Sequence, residues 1–234
     1  MEKGKLLYEG KAKQVFSTEQ ADEVLVYYKD DATAFNGEKK VTINSKGLLN
    51  NAIASLFFEV LEKNGVPTHF IRRVDERQML LKKLDIIPIE VVMRNIAAGS
   101  LAKRLGWEEG RDLGRPVVEL YYKDDALGDP LINHYHVAVL GIATPKEVAF
   151  LEELGLKINE ILSKYLIARN TILVDFKLEF GRYGDQILLG DEISPDTCRF
   201  WDAATREKLD KDRFRRDLGN VEEAYQEMYN RIKG

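Results

Sequence analysis

The stretch Val174-Asp175-Phe176-Lys177-Leu178-Glu179-Phe180-Gly181, followed after a polar turn by Gly190-Asp191-Glu192-Ile193-Ser194-Pro195-Asp196, governs how the rest of the chain is read. Successive side chains of a strand point to opposite faces. Asp175, Lys177 and Glu179 therefore share one face, and Phe176, Leu178 and Phe180 the other. The apolar face belongs to a strand packed on a core. The polar face offers two carboxylates with an ammonium between them, and Asp191 lies one hairpin away. One or two carboxylates, completed by phosphates and water, are the usual protein contribution to Mg²⁺ bound around a nucleotide. An ordinary solvated strand face is the competing reading of a single alternating strand. Arg182-Tyr183-Gly184-Asp185 reads as the turn. An odd-numbered loop puts Asp191 on the face of Asp175 and Glu179. A loop of two or four residues turns it away unless a bulge intervenes, a role that suits Gly190.

Outward from this hairpin, the first part of the chain reads as β. Leu6 to Tyr8, Lys13 to Ser17 and Glu23 to Tyr28 are short alternating or apolar runs separated by polar turns. Leu49, Ala52, Ile53, Leu56, Phe57, Val60 and Leu61 then mark one helical face, with Asn44 or Ser45 as cap and Gly65 as stop. His69 to Val74, Gln78 to Lys83 and Ile86 to Asn95 are three further strand-like runs. A twisted antiparallel sheet carrying one long helix is expected, an α+β arrangement. From Gly99 the character shifts. Gly99 to Gly106 is a short helix, Pro145 to Ala168 a long amphipathic one, and two more lie near Asp210 to Asp217 and Val221 to Lys233. The lobe division falls around Leu84 to Ile86, giving lobes 1–84 and 85–234 with the site expected in the cleft between them.

Composition excludes several classes. The chain has 234 residues, 44% of them hydrophobic and 32% charged, which describes a soluble globular protein. A net charge of −4 gives no general attraction to nucleic acid or membrane. No apolar run approaches the roughly 20 residues that span a bilayer, and the N-terminus has no signal-peptide core. Cys198 is the only cysteine, so no internal disulfide forms and a cytoplasmic setting is expected.

Three further segments carry chemistry. Tyr8 to Phe16 joins two strands through Gly10-Lys11-Ala12-Lys13, a turn able to cover a triphosphate with backbone N–H groups and point charges. It is not a Walker loop, and a Gly-Lys hairpin alone is common. Val91 to Ser100 ends a strand and opens a helix, with Arg94 and Ser100 able to meet a phosphate. A capped helix with a surface arginine is the plain alternative. Arg199, between Cys198 and Phe200-Trp201, suits a second phosphate or carboxylate clamp, while Cys198 itself reads as a small buried residue. His134 and His136 at strand spacing could ligate a metal but lack a third ligand, so ordinary histidines are favoured. The mixed-sign run Lys211 to Asp217 reads as a solvated helix face from which a single arginine could reach the cleft.

Together and in this order, these motifs resemble the phosphoribosylaminoimidazole-succinocarboxamide synthases, or SAICAR synthetases, of purine biosynthesis. The resemblance covers essentially the whole chain. It rests on Gly10-Lys11-Ala12-Lys13, Arg94-Asn95 with Ala97-Ala98-Gly99-Ser100, Asp175 to Gly181, and Gly190-Asp191-Glu192 with Ser194-Pro195-Asp196. One departure is that Thr33-Ala34-Phe35-Asn36-Gly37 stands where relatives often carry Ser-Ala-Phe-Asp, replacing a carboxylate by an amide. The resemblance implies a two-lobed α+β fold related to ATP-grasp and kinase-like enzymes, with a β-rich ATP-binding lobe and a larger α+β lobe for substrate and metal. It implies ATP, Mg²⁺, L-aspartate and 5-amino-1-(5-phosphoribosyl)imidazole-4-carboxylate (CAIR) as reactants, and a homo-oligomer, a dimer by analogy. Glu179 and Asp191 would hold Mg²⁺, with Lys11, Lys13, Lys123 and Lys177 along the phosphates. Backbone around Leu81, Lys82 and Leu84 would read adenine. Arg94, Ser100 and Arg199 would clamp the ribose phosphate and imidazole carboxylate, and Thr33 supplies a further hydroxyl. Asp175 would accept from the 5-amino group or orient Lys177. Asp129 and Arg215, with Lys123, are candidates for the aspartate end. A small-molecule kinase on a related fold and a nucleotide-sensing module without turnover are the competing functions.

Overall fold

The computed structural model of the chain describes residues 3–34 and 39–233. Strands β1 (Leu6–Glu9), β2 (Lys13–Ser17) and β3 (Glu23–Tyr28) form a meander, followed by the small hairpin β4 (Asp31–Ala34) and β5 (Lys39–Thr42). Helix α1 (Lys46–Lys63) comes next, then β6 (Phe70–Arg73) and β7 (Gln78–Lys82). The first sheet is antiparallel throughout and runs β1-β2-β3-β7-β6.

The second sheet begins with β8 (Asp85–Ile96). After α2 (Gly99–Leu105) come β9 (Asp112–Tyr122), β10 (Leu131–Ile132), α3 (His134–Leu140) and α4 (Pro145–Ile167). The chain ends with β11 (Thr171–Tyr183), β12 (Gln186–Leu189), β13 (Cys198–Asp202), α5 (Asp212–Arg215) and α6 (Val221–Lys233). Its order is β10-β9-β8-β11-β12, with β13 also paired to β11. The chain is thus α+β with antiparallel sheets, as expected.

One core joins the sheets. Leu49, Ile53, Phe57 and Leu61 of α1 are buried, as are Leu151, Ile158, Leu162 and Leu166 of α4 beneath β8 and β11. Each such side chain contributes roughly 1.5–3 kcal/mol on leaving water. Gly155 seats α4 on the sheet, since a Cβ there would lie 3.1 Å from Met93 Sδ. Thr144 caps α4 reciprocally with Glu147, and Pro145 opens it.

The cap of α1 differs from expectation. Ser45 is left-handed (φ 61°) and makes no side-chain cap bond. Asp30 replaces it, accepting the Gly47 N–H at 2.9 Å while Arg77 grips both its oxygens. His134 and His136 also lie elsewhere than on a strand. They open α3, where His136 completes a capping box with Asn133 and His134 meets Glu152 at 3.0 Å. No described helix is long and apolar enough to cross a membrane.

Candidate active site

The polar face of β11 is set by the register with its neighbours. Asp175, Lys177 and Glu179 stand opposite Arg94, Val92 and Glu90 of β8, and Glu119 and Tyr121 of β9 face the same way. This face is not solvated as the plain reading held: Asp175 and Glu179 are only 4% and 5% exposed. A bulge in β8 at Pro88-Ile89 interrupts the pairing just beyond Glu179, a common device beside functional sites.

Glu179 and Glu90 are like charges directly across a strand pair, which repel. Lys177 resolves the conflict, with Nζ 2.7 Å from Glu90 and 2.9 Å from Glu179, and Lys123 reaches the same Glu179 oxygen at 2.8 Å. Burial disfavours the Lys177 ammonium, but Glu179, Asp191 and Glu90 overcome it and hold the group charged well above its ordinary range. Burial likewise raises Glu90, against the pull of Lys177.

Asp191 reaches this cluster by a break in the hairpin. Tyr183 pairs with Gln186, so the loop has two residues, and simple alternation would turn Asp191 away. The pairing stops at Leu189, Gly190 N–H bonds Glu179 O at 2.8 Å, and Asp191 adopts φ 52°. Its carboxylate then meets Lys13 of β2, which is also 3.0 Å from Glu192. Burial works against the Asp191 charge, yet Lys13 and Lys177 keep its pKa well below the ordinary carboxylate range. Behind it His69, buried against Phe58, is held neutral by burial, its pKa lowered to about 3.

A second cluster surrounds Arg94. Its guanidinium bonds Glu119 at 2.6 Å, Asp175 at 3.0 Å, Ser100 Oγ at 2.9 Å and the Tyr121 hydroxyl at 3.1 Å. Arg199 meets Asp175 at 2.8 Å and Asp212 at 2.8 Å. Asp175 is therefore held between two arginines and does not orient Lys177. Gly99 is needed here: its φ is +52°, and a Cβ would fall 2.8 Å from the Arg199 guanidinium carbon.

Both clusters line one cleft of about 910 Å³, walled on its other side by Gly10 to Lys13 and by the apolar Val15, Val24, Val26 and Leu81. Lys82, Leu84, Asp129 and Arg215 also line it, so every expected site residue with a described side chain meets there. Thr33 lies in β4, with its side chain outside the described residues, and Asn36 falls outside them altogether. Two carboxylates among lysines suit a hard cation that takes its remaining ligands from phosphate and water. Among the described residues no group of three or more His, Cys, Asp or Glu forms a metal cage.

Sequence reasoning missed several lining residues. Glu90 was recoverable, since it shares the strand face of Arg94 at period two. Lys211 was not, because its run reads as a solvated helix face; Asp212 beside it, 1% exposed and behind the lining, was hidden for the same reason. The Cys198 thiol is buried and its pKa pushed up by that burial, in keeping with a structural residue.

The sequence model of the SAICAR synthetase family matches residues 6–232. Phosphoribosylaminoimidazole-succinocarboxamide synthase of Desulfitobacterium hafniense is 64% identical, over 100% of this chain and 98% of its own. That of Brevibacillus brevis is 62% identical over the same shares. Among solved structures, the Ehrlichia chaffeensis synthase superposes with a TM-score of 0.96 at 45% identity, covering 98% of both chains. A SAICAR synthetase in complex with ADP gives 0.94 at 53% identity, covering 96% of both. Matched from end to end in sequence and backbone, the chain belongs to the SAICAR synthetase family.

Proposed function

We propose that this protein joins L-aspartate to CAIR, consuming ATP and releasing SAICAR, ADP and phosphate. The observation that carries the reading is the convergence, in one cleft, of a lysine–carboxylate cluster at Lys13, Lys177, Glu179 and Asp191 and an arginine–hydroxyl cluster at Arg94, Ser100 and Arg199. The first suits a metal-bound triphosphate and the second a sugar phosphate. A kinase acting on an alcohol has no need of a third anionic reactant, and family membership weighs against it.

A carboxylate resists amines because its oxygen leaves poorly. In the proposed sequence a CAIR carboxylate oxygen attacks the γ-phosphorus of ATP and ADP departs, leaving an acyl phosphate. The aspartate nitrogen then attacks the acyl carbon, phosphate leaves with the C–O electron pair, and the nitrogen gives up a proton. Positioning and charge neutralisation supply most of the catalysis of such phosphoryl transfer. Charge is the chief obstacle, since like unit charges ~4 Å apart repel by about 4 kcal/mol at an effective dielectric near 20.

Lys13 and Lys177, fully charged and already poised beside carboxylates, would exchange those partners for phosphate oxygens. Glu179 and Asp191 would hold Mg²⁺, which when bound neutralises the developing phosphate charge. Lys11 and Lys123 extend the positive lining, and the backbone of Gly10 and Ala12 covers the phosphates. Adenine fits the apolar strands of the first sheet, where the Leu84 N–H takes no acceptor among the described residues. Leu81 and Lys82 flank that edge. Arg199 and Ser100 would take the ribose phosphate, with Arg94 fixing both Ser100 and Asp175. Asp175 would accept from the 5-amino group and Thr33 offers a hydroxyl; Asp129 would orient the amine. In the same proposal, residues 1–84 serve ATP, residues 85–234 serve substrate and metal, and the enzyme works in the cytoplasm as a homo-oligomer.

The test is ADP release by purified protein with Mg-ATP and CAIR, with and without L-aspartate. Aspartate-dependent ADP matched by a succinocarboxamide product is expected. ADP formed equally without aspartate would point to a kinase.

A further inference from the structure

Three guanidiniums crowd the single carboxylate of Asp212. Its Oδ2 receives Nε of Arg199 at 2.8 Å and its Oδ1 receives Nη1 of Arg215 at 2.7 Å. Asp212 is 1% exposed, so water does not make up for a lost partner there. The third guanidinium, Arg216, stands 3.6 Å from the same Oδ2 that Arg199 uses. What holds Arg216 off that oxygen is Glu109. Glu109 sits in the turn between α2 and β9, where the Gly110 N–H bonds Ala97 O at 2.9 Å and fixes the turn beside the start of α2. Its carboxylate accepts from both terminal nitrogens of Arg216, Nη1 at 2.9 Å, in the forked arrangement that suits arginine. Lys208 adds a second cation at 3.1 Å, with its ammonium 4.7 Å from the centre of the Trp201 ring. Burial opposes the Glu109 charge, but Arg216 and Lys208 keep its pKa below the ordinary carboxylate range.

The competition matters because Asp212 aims Arg199. With Nε on Asp212 and Nη1 on Asp175, both at 2.8 Å, the guanidinium is fixed along two edges and Nη2 lies against Gly99, one residue from Ser100. If Arg216 drew Asp212 away, Arg199 would keep only the Asp175 edge and its long side chain would regain rotational freedom. We propose that Glu109 is a positioning residue of the anion clamp: it sequesters Arg216 and so reserves Asp212 for Arg199. Neither Glu109 nor Arg216 lines the cleft, so the effect passes entirely through Asp212. The inference rests on the reading above that Arg199 and Ser100 take the ribose phosphate. A plain strap tying the α2 turn to α5 is the alternative role for Glu109, and it predicts the opposite behaviour when Arg216 is removed.

The test is calorimetric binding of ribose 5-phosphate to the full-length wild type, to Glu109→Gln, to Arg216→Met and to the two substitutions combined. The side chains of Glu109 and Arg216 are 30% and 39% exposed, so neither change disturbs the core. Glu109→Gln should bind at least about fivefold more weakly, because the freed Arg216 now pulls on Asp212. Arg216→Met should stay within about twofold of wild type, and adding it to Glu109→Gln should restore binding to that level. KM for CAIR should follow the same order while KM for ATP stays within about twofold. Weakening by Arg216→Met alone, or a double variant as weak as Glu109→Gln, would overturn the proposal and leave Glu109 a strap. Unchanged binding in Glu109→Gln would overturn it as well, as would a wild type that does not bind ribose 5-phosphate. If binding follows the expected order in a protein that forms no aspartate-dependent ADP, the positioning role stands and the ligase reading falls.

Discussion

Asp191 owes its place in the cleft to one backbone angle. At φ 52° it occupies the left-handed region, which Asp and Asn tolerate better than most residues. Asp191→Asn therefore keeps the turn and the size of the side chain while removing the charge opposite Lys13. Glu179→Gln does the same opposite Lys177 and Lys123. Each is expected to lower kcat about 10²–10³-fold, the scale of losing one preorganised electrostatic partner, with the circular-dichroism spectrum preserved. Turnover within about threefold of wild type in either variant would remove that acid from the proposed metal role. The sequence could identify these acids but not their geometry. Alternation marks a strand face, whereas the departure of residue 191 from the strand depends on Gly190 bonding Glu179 and on Lys13 arriving from the other sheet.

At the scale of elements, the buried pair Lys46–Asp196 ties the start of α1 to the segment after β12, and Tyr225 of α6 holds the same carboxylate. Removing one member of such a pair strands the other charge away from water. Lys46→Met should cost about 3–5 kcal/mol of stability, read as a lower urea midpoint at unchanged m-value. A loss below about 1 kcal/mol would mean that Asp196 finds another cation, Lys211 being nearest to hand. Legibility divides along the same physical line. β11, α1 and α4 were plain because each turns a regular apolar row into the core, so periodicity records the packing. β9 and α3 were not. β9 carries Gly114, Arg115 and Pro116 mid-strand, and α3 buries only Val137, so neither has a pattern strong enough to announce it. α5 was misread as solvated because its one acid, Asp212, is buried against Arg199 and Arg215, and charge pairing leaves no hydrophobic period.

Over the whole molecule, two buried groups make opposing contributions to the pH dependence of stability. Burial and the neighbouring Asp212 raise Asp210 to about 7, so between its unfolded pKa of about 3.9 and that value the folded protein keeps a proton the unfolded chain has lost. Stability then falls as pH rises. His69 has the reverse sign. Its folded pKa is lowered to about 3, so from there to the unfolded value of about 6.5 the unfolded chain holds the extra proton and stability rises with pH. One proton's difference corresponds to about 1.4 kcal/mol per pH unit. The two slopes cancel between roughly pH 4 and 6.5. Asp212 leaves this window untouched: Arg199 and Arg215 overcome its burial and depress it to about 2, so its contribution is complete above the unfolded carboxylate pKa and lost only in stronger acid. Urea midpoints of the metal-free protein should therefore slope only gently from pH 4.5 to 6.5, the raised Glu90 adding a fall of the same sign as Asp210. His69→Gln removes one side of the balance, and its stability should decline across the same interval by up to about 1.4 kcal/mol per unit. A variant as level as the wild type would show that Asp210 ionises in the folded state well below neutrality, and the charge balance around Arg199 and Asp212 would then have to be redrawn with one more anion.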